Sequence, residues 1–181
     1  MCVDVRSLAN VGQIFRVCDA LRVERLYLCG VTGYPPVAND PRQPWVAERA
    51  GRVIDRTAIQ TVHAVSWEHR QSATEVLREL KERGVWIAAL EPTSESVDYT
   101  QVDYRFPVGL VVGHERSGIP RPVLALADIT VGIPMYGLGS SLNVALALGI
   151  CGYEIIRKRS RQAPDSSDRS LVGPTPNFGL T

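Results

Sequence analysis

Val85-Trp-Ile-Ala-Ala-Leu90 and Val108-Gly-Leu-Val-Val112 are two continuous apolar runs bordered by turn residues. A strand with one face in water alternates apolar and polar residues, whereas an unbroken run suits a parallel strand covered on both faces. Outward from this pair, strand-like runs alternate with helical spacings. Val3 and Val5 read as a first strand, and Leu26–Cys29 as another closed by Gly30. Between them, Val11, Ile14, Phe15, Val17, Cys18 and Leu21 recur at helical spacing over residues 10–22, with Asn10 placed to cap the helix. The stretch Thr32–Pro44 holds four prolines and reads as a loop. Residues 46–61 are weakly patterned and read as one short helix, and Val62–Val65 is expected as a strand. Glu68–Arg83 reads as an amphipathic helix, with Ala73, Val76, Leu77 and Leu80 on one side and Gly84 ending it. A short helix over Pro120–Ala127, a strand over Ile129–Val131 and a long helix over Ser140–Arg157 complete the pattern. This alternation predicts an α/β fold with a mainly parallel sheet flanked by helices.

The 181 residues suffice for one domain with a substantial core. With 45% hydrophobic and 22% charged residues, the composition is that of an ordinary globular protein. No apolar run approaches the roughly 20 residues of a membrane span. The start, Met1-Cys-Val-Asp-Val-Arg6, carries charges where a signal peptide needs an apolar segment, so a cytoplasmic location is expected. Cys2, Cys18, Cys29 and Cys151 are scattered, with no C-x-x-C pair or histidine cluster, which argues against a zinc site and against a disulfide framework. Cys18 and Cys151 lie in apolar helical patterns and read as core residues.

A net charge of +1 leaves no global nucleic-acid signature. Lys81 and Lys158 are nevertheless the only lysines, and all other basic residues are arginines. Arginine suits bidentate phosphate contact and base stacking, while compositional bias of the genome explains the same preference. The cluster Arg157-Lys-Arg-Ser-Arg161 reads as a solvated helix end rather than an RNA-binding arm. Domain boundaries are therefore set at 1–157 for the folded unit and 158–181 for a basic, then Ser/Pro-rich, flexible tail.

Three short motifs carry the chemistry. Asn10-x-Gly12-x-x-x-Arg16 opens the first helix, and Gly113-His-Glu115-Arg-Ser-Gly118-Ile-Pro120 follows a buried strand. The third, Ile133-Pro-Met-Tyr-Gly-Leu-Gly-Ser-Ser-Leu-Asn-Val-Ala145, runs from a strand end through a glycine loop into a helix. Glycines let backbone approach a ligand closely, and Ser141 and Asn143 suit the unpaired N–H groups of a helix start. Other nucleotide and hydrolase signatures are missing: no G-x-x-x-x-G-K-[ST], no G-x-G-x-x-G, no G-x-S-x-G and no H-E-x-x-H. None of the three histidines has an evident carboxylate or cysteine partner, so each reads as structural or surface.

Together these motifs resemble those of the SpoU (TrmH) family of SAM-dependent RNA 2′-O-ribose methyltransferases, of the SPOUT class. The resemblance covers residues 2–157. It rests on Asn10, Gly12 and Arg16, on Gly113, Glu115, Gly118 and Ile119, and on Ile133, Pro134, Met135, Gly137 and the run Ser141–Ala145. It implies a Rossmann-like sheet with a C-terminal deep trefoil knot, an arrangement that general fold rules would not propose. It implies a homodimer with active sites at the interface, S-adenosyl-L-methionine as cofactor, and tRNA or rRNA as substrate. Cofactor contacts carried over by position fall on Leu90, Gly113, Ile133, Met135 and Leu142, mostly through backbone.

The catalytic set implied is Arg16, Asn10, Glu115, Ser141 and Asn143. The matching arginine is central in the family and is sometimes assigned as proton acceptor. A guanidinium with a pKa above about 12 is a poor base, so a stabilising and orienting role is expected. Asn10 caps its helix, or also holds Arg16 or substrate. Glu115 is expected to hold neighbouring loop amides and Asn143, or to orient Arg16. Ser141 and Asn143 contact the cofactor carboxylate or an RNA phosphate, or cap their helix, and a methionine such as Met135 is more often a packing residue than a chemical one. Two other functions remain in view: an inactive SAM- or RNA-binding protein of the same fold, and an RNA base methyltransferase. The arginines near Thr32–Pro44 and Arg49–Arg70 are expected to make RNA binding salt-dependent.

Overall fold

The computed structural model describes residues 1–162; the Ser/Pro-rich segment beyond lies outside the described residues. The described residues hold seven strands and five α-helices. They are β1 (Cys2–Val3), α1 (Leu8–Ala20), β2 (Leu26–Cys29), α2 (Pro44–Ala58), β3 (Trp67–Arg70), α3 (Ala73–Glu82), β4 (Trp86–Leu90), β5 (Val97–Asp98), β6 (Val108–Val111), α4 (Arg121–Leu124), β7 (Ile129–Gly132) and α5 (Val144–Gln162). Strands β1-β2-β3 form one parallel set and β5-β7-β4-β6 another. The two join where Val3 N–H donates to Val112 O at 2.9 Å and Val112 N–H to Met1 O at 2.9 Å. The result is a parallel sheet in the order β3-β2-β1-β6-β4-β7-β5.

Side-chain alternation divides the core between the two faces of this sheet. Cys2, Leu26, Leu28, Ala88, Leu90 and Val131 pack on one side with Val11, Ile14 and Phe15 of α1, Ile54 of α2 and Leu148 and Cys151 of α5. Val3, Tyr27, Cys29, Ile87, Ala89 and Val111 point the other way, against Val76 and Leu77 of α3 and Val123 of α4. The unbroken apolar runs of β4 and β6 follow from this double cover.

Several sequence expectations shift. Helix α1 starts at Leu8, and Ser7 rather than Asn10 caps it, its hydroxyl accepting from Asn10 N–H at 3.3 Å. Val62–Val65 forms no strand: Thr61–His63 is a 3-10 turn, and the strand follows at Trp67–Arg70. The helix expected from Glu68 therefore begins at Ala73, capped by Ser72. The weakly patterned stretch holds the 15-residue helix α2, whose buried face is made of small residues, Ala47, Ala50, Gly51 and Ala58, around Ile54. Short β5 was not foreseen. Helix α5 starts at Val144, leaving Ser141 in the preceding loop, and continues through the basic cluster to Gln162.

Candidate active site

Two glycines explain how the first two motifs are held. Gly12 sits in mid-helix, where a β-carbon would collide with Thr57 Oγ1 and the carbonyl of Ile54 on α2. Its side-chain-free face lets α1 lie against α2, and Thr57 Oγ1 donates across the contact to Ala9 O at 3.0 Å. Gly113, at the end of β6, abuts the Gly118–Ile119 backbone, so the 113–118 turn folds back flat on the strand end. Gly118 has φ +69°, a left-handed conformation that glycine adopts without strain.

Above these supports a hydrogen-bonded chain joins the three motifs. Asn143 Oδ1 accepts from Ala145 N–H at 3.0 Å and Leu146 N–H at 3.3 Å, capping α5. Its amide nitrogen therefore faces outward and donates to Asn10 Oδ1 at 2.9 Å. Asn10 Nδ2 donates in turn to Glu115 Oε1 at 2.9 Å. The carboxylate also accepts from Ser7 N–H at 2.9 Å and Arg6 N–H at 3.2 Å. Asn10 donates once and accepts once, Asn143 donates once and accepts twice, and a carboxylate that only accepts ends the chain. Partial burial pushes the Glu115 carboxyl upward, but the donors from Ser7, Asn10 and Arg6 outweigh it and hold the group below its ordinary value. Glu115 thus holds the β1–α1 amides and reaches Asn143 only through Asn10.

A cleft of about 320 Å³ opens beside this chain, at the carboxyl ends of β4, β6 and β7. All five positions expected to meet a cofactor, Leu90, Gly113, Ile133, Met135 and Leu142, line it, together with Glu115 and Ser141. Leu90, Ile133, Leu142 and Val144 provide apolar surface, while Glu91, Ser140 and Ser141 add polar groups. Apolar walls, a few polar groups and bare glycine backbone fit a nucleoside-bearing cofactor such as S-adenosyl-L-methionine. Glu91, the first polar residue after the β4 run, was not singled out from sequence; its Oε2 accepts from Ile119 N–H at 3.0 Å and pins the 113–119 turn. His114 is structural, its Nδ1 accepting from Arg116 N–H at 3.0 Å and Ser117 N–H at 3.2 Å.

Arg16 stands apart. It is exposed on α1, outside the cleft lining, and makes no hydrogen bond or ion pair among the described residues. Neither Asn10 nor Glu115 bonds to it. A second cavity, of about 220 Å³ and mostly apolar, lies between Met1, Leu26, Leu80 and Leu110, where β1 is only two residues long. It contains none of the motif residues. Among the described residues there is no metal-binding cluster and no helix long and apolar enough to cross a membrane.

Fold and cleft together define an α/β protein with a ligand-sized cleft at the carboxyl ends of parallel strands, where such folds hold their ligands. The SpoU rRNA methylase family model matches residues 1–153, and the chain belongs to that family. It is 34% identical over 160 residues to the tRNA (guanosine(18)-2′-O)-methyltransferase of Aquifex aeolicus, covering 88% of this chain and 68% of the relative. The crystal structure of the A. aeolicus TrmH/SpoU tRNA-modifying enzyme superposes with a TM-score of 0.74 at 31% identity, over 94% of this chain and 81% of the other. The SpoU methyltransferase AviRb of Streptomyces viridochromogenes, in complex with AdoMet, gives 0.73 at 25% identity, over 88% of this chain and 56% of the other.

Proposed function

We propose that this protein transfers a methyl group from S-adenosyl-L-methionine to a ribose 2′-hydroxyl of tRNA or rRNA, in the cytoplasm. The observation that carries the reading is the convergence of Leu90, Gly113, Ile133, Met135 and Leu142 on one cleft beside the Glu115–Asn10–Asn143 chain. The cofactor supplies an electrophilic methyl on a sulfonium. Residues 1–157 form the methyltransferase domain, and its own side chains hold and orient. Leu90, Ile133 and Leu142 would shield the cofactor's nucleoside from water, and Ser141 and Asn143 would set the loop beside it. Arg16 meets the RNA phosphate and the oxygen that gains negative charge as its proton leaves to water, a role that suits a permanent cation with five donors.

The active unit in this reading is a homodimer. What supports it is the exposed apolar stripe of α5, Leu146, Tyr153 and Ile156, continued by Tyr136, 96% exposed, and Leu138 on the loop before it. A second copy would cover that stripe. The reading also includes a trefoil knot. It is supported by β7, which enters between the earlier strands β4 and β5, and by Gly132 lying close against Ser96 and Pro92 of the segment that connects them.

Incubation with methyl-labelled cofactor and unmodified tRNA and rRNA, followed by digestion to nucleosides, tests the reaction. Label in a 2′-O-methylnucleoside is the expected result. Label on a base would replace ribose with base methylation, and cofactor binding without transfer to either RNA would favour the inactive binder.

A further inference from the structure

Helix α2 carries an outward face that the catalytic reading does not use. Trp45, Arg49, Arg52 and Arg56 follow one another at intervals of four, three and four residues. At 3.6 residues per turn these four fall within about 60° of arc, on the side opposite the buried Ala47, Ala50, Ile54 and Ala58. Trp45 is 66% exposed, an unusual position for the largest apolar side chain. Arg49 and Arg56 have no ion-pair or hydrogen-bond partner among the described residues. Arg52 reaches Glu48 at 3.7 Å, but both side chains are more than two-thirds exposed, so that pair is weak and screened.

Other arginines of this region are committed elsewhere. Arg42 is held by Asp40, by the carbonyls of Tyr34 and Pro35 and by the Tyr34 ring, and Arg70 pairs with Glu79. The choice of partner follows from charge and shape. A second copy meeting this stripe about a two-fold axis would set arginine against arginine, whereas a polyanion satisfies all three cations. An exposed aromatic at one end of a cationic track provides what an unpaired base needs, a π-face beside its own phosphates.

We propose that the outward face of α2 is an RNA-docking surface, on which Arg49, Arg52 and Arg56 contact successive phosphates and Trp45 stacks an unpaired base. This rests on the RNA substrate of the proposed function and adds where that RNA lies, away from the cofactor cleft.

The test is binding of a fluorescein-labelled unmodified tRNA transcript across a salt series, beside cofactor binding and methyl transfer. The combined Arg49→Gln, Arg52→Gln, Arg56→Gln variant is expected to bind at least tenfold more weakly. Its slope of log affinity against log salt should fall by about 0.7–0.9 for each phosphate that an arginine no longer neutralises. The matching lysine variant should recover much of the affinity. Trp45→Ala should weaken binding about tenfold with the slope kept, and should remove the quenching of tryptophan emission by RNA. Cofactor binding in all variants should match wild type.

Wild-type RNA affinity in the glutamine variant and in Trp45→Ala, with the wild type still methylating RNA, would overturn the surface and leave the function standing. Concentration-dependent self-association of the wild type that Trp45→Ala abolishes would assign the stripe to a protein contact and overturn the proposal. A wild type that neither binds nor methylates RNA would remove the function, and the docking surface with it.

Discussion

Asn10 and Asn143, 133 positions apart in the chain, share a hydrogen bond of 2.9 Å that closes the N-terminal motif onto the C-terminal one. Asn10 also donates to Glu115, so a single side chain couples all three motifs. Asn10→Ala should cost about 2–4 kcal/mol of stability, because it removes one neutral bond and one to a carboxylate. Cofactor affinity should fall as well, because the loop at Ser140–Asn143 loses its anchor. Denaturant unfolding and cofactor titration of Asn10→Ala, Asn143→Ala and the double variant should show non-additive losses. Strict additivity would mean that the two residues act separately.

Gly12 leaves no room for a side chain between α1 and α2. Gly12→Ala should destabilise the fold by about 1–3 kcal/mol through overpacking, despite alanine's higher helix propensity. An unchanged urea midpoint would show that the helices separate freely.

The Glu115 carboxyl titrates below its ordinary value of 4.5 in the folded protein. A depressed carboxyl contributes stability in full above the unfolded value and loses it as pH falls through the folded one. Wild type should therefore lose stability below about pH 4.5 more steeply than Glu115→Gln, which has no charge to lose there. Parallel acid curves for the two would contradict this role.

Burial raises the four thiols, to about 11 for Cys2 and Cys151 and about 12 for Cys18 and Cys29. Thiolates are the reactive form, so none should react with a disulfide reagent at pH 8 while the protein is folded, and all four should react in denaturant. Fast reaction of one thiol in the native state would show that its segment opens.

The parallel sheet was legible because β4 and β6 are covered on both faces and carry apolar residues throughout. Strand β3 was not. All four of its residues are half-buried, and the sequence Trp-Glu-His-Arg merges with the amphipathic helix after it. Helix α2 was under-read because its buried face is mostly alanine and glycine, so its amphipathic contrast comes from the charged residues Glu48, Arg49, Arg52, Asp55 and Arg56 rather than from large apolar side chains. At the site, the positions carried over by resemblance, Leu90, Gly113, Ile133, Met135 and Leu142, come together on one cleft, since backbone loops at strand ends depend on local glycines. Partner choice was less accessible. Ser7 and Asn10 both suit a helix cap, and only the third dimension shows that Asn10 is turned toward Glu115 and Asn143 instead.

The most direct measurement compares wild type with Arg16→Ala in single-turnover methyl transfer to unmodified tRNA, alongside equilibrium binding of S-adenosyl-L-methionine. Arg16 lies outside the cleft lining and is exposed. Cofactor affinity should therefore be unchanged, while formation of 2′-O-methylnucleoside falls by about 100-fold or more, as expected when a charge-stabilising donor is removed. Transfer at the wild-type rate by Arg16→Ala would contradict the account, because the cleft would then be working without the cation assigned to the ribose oxygen.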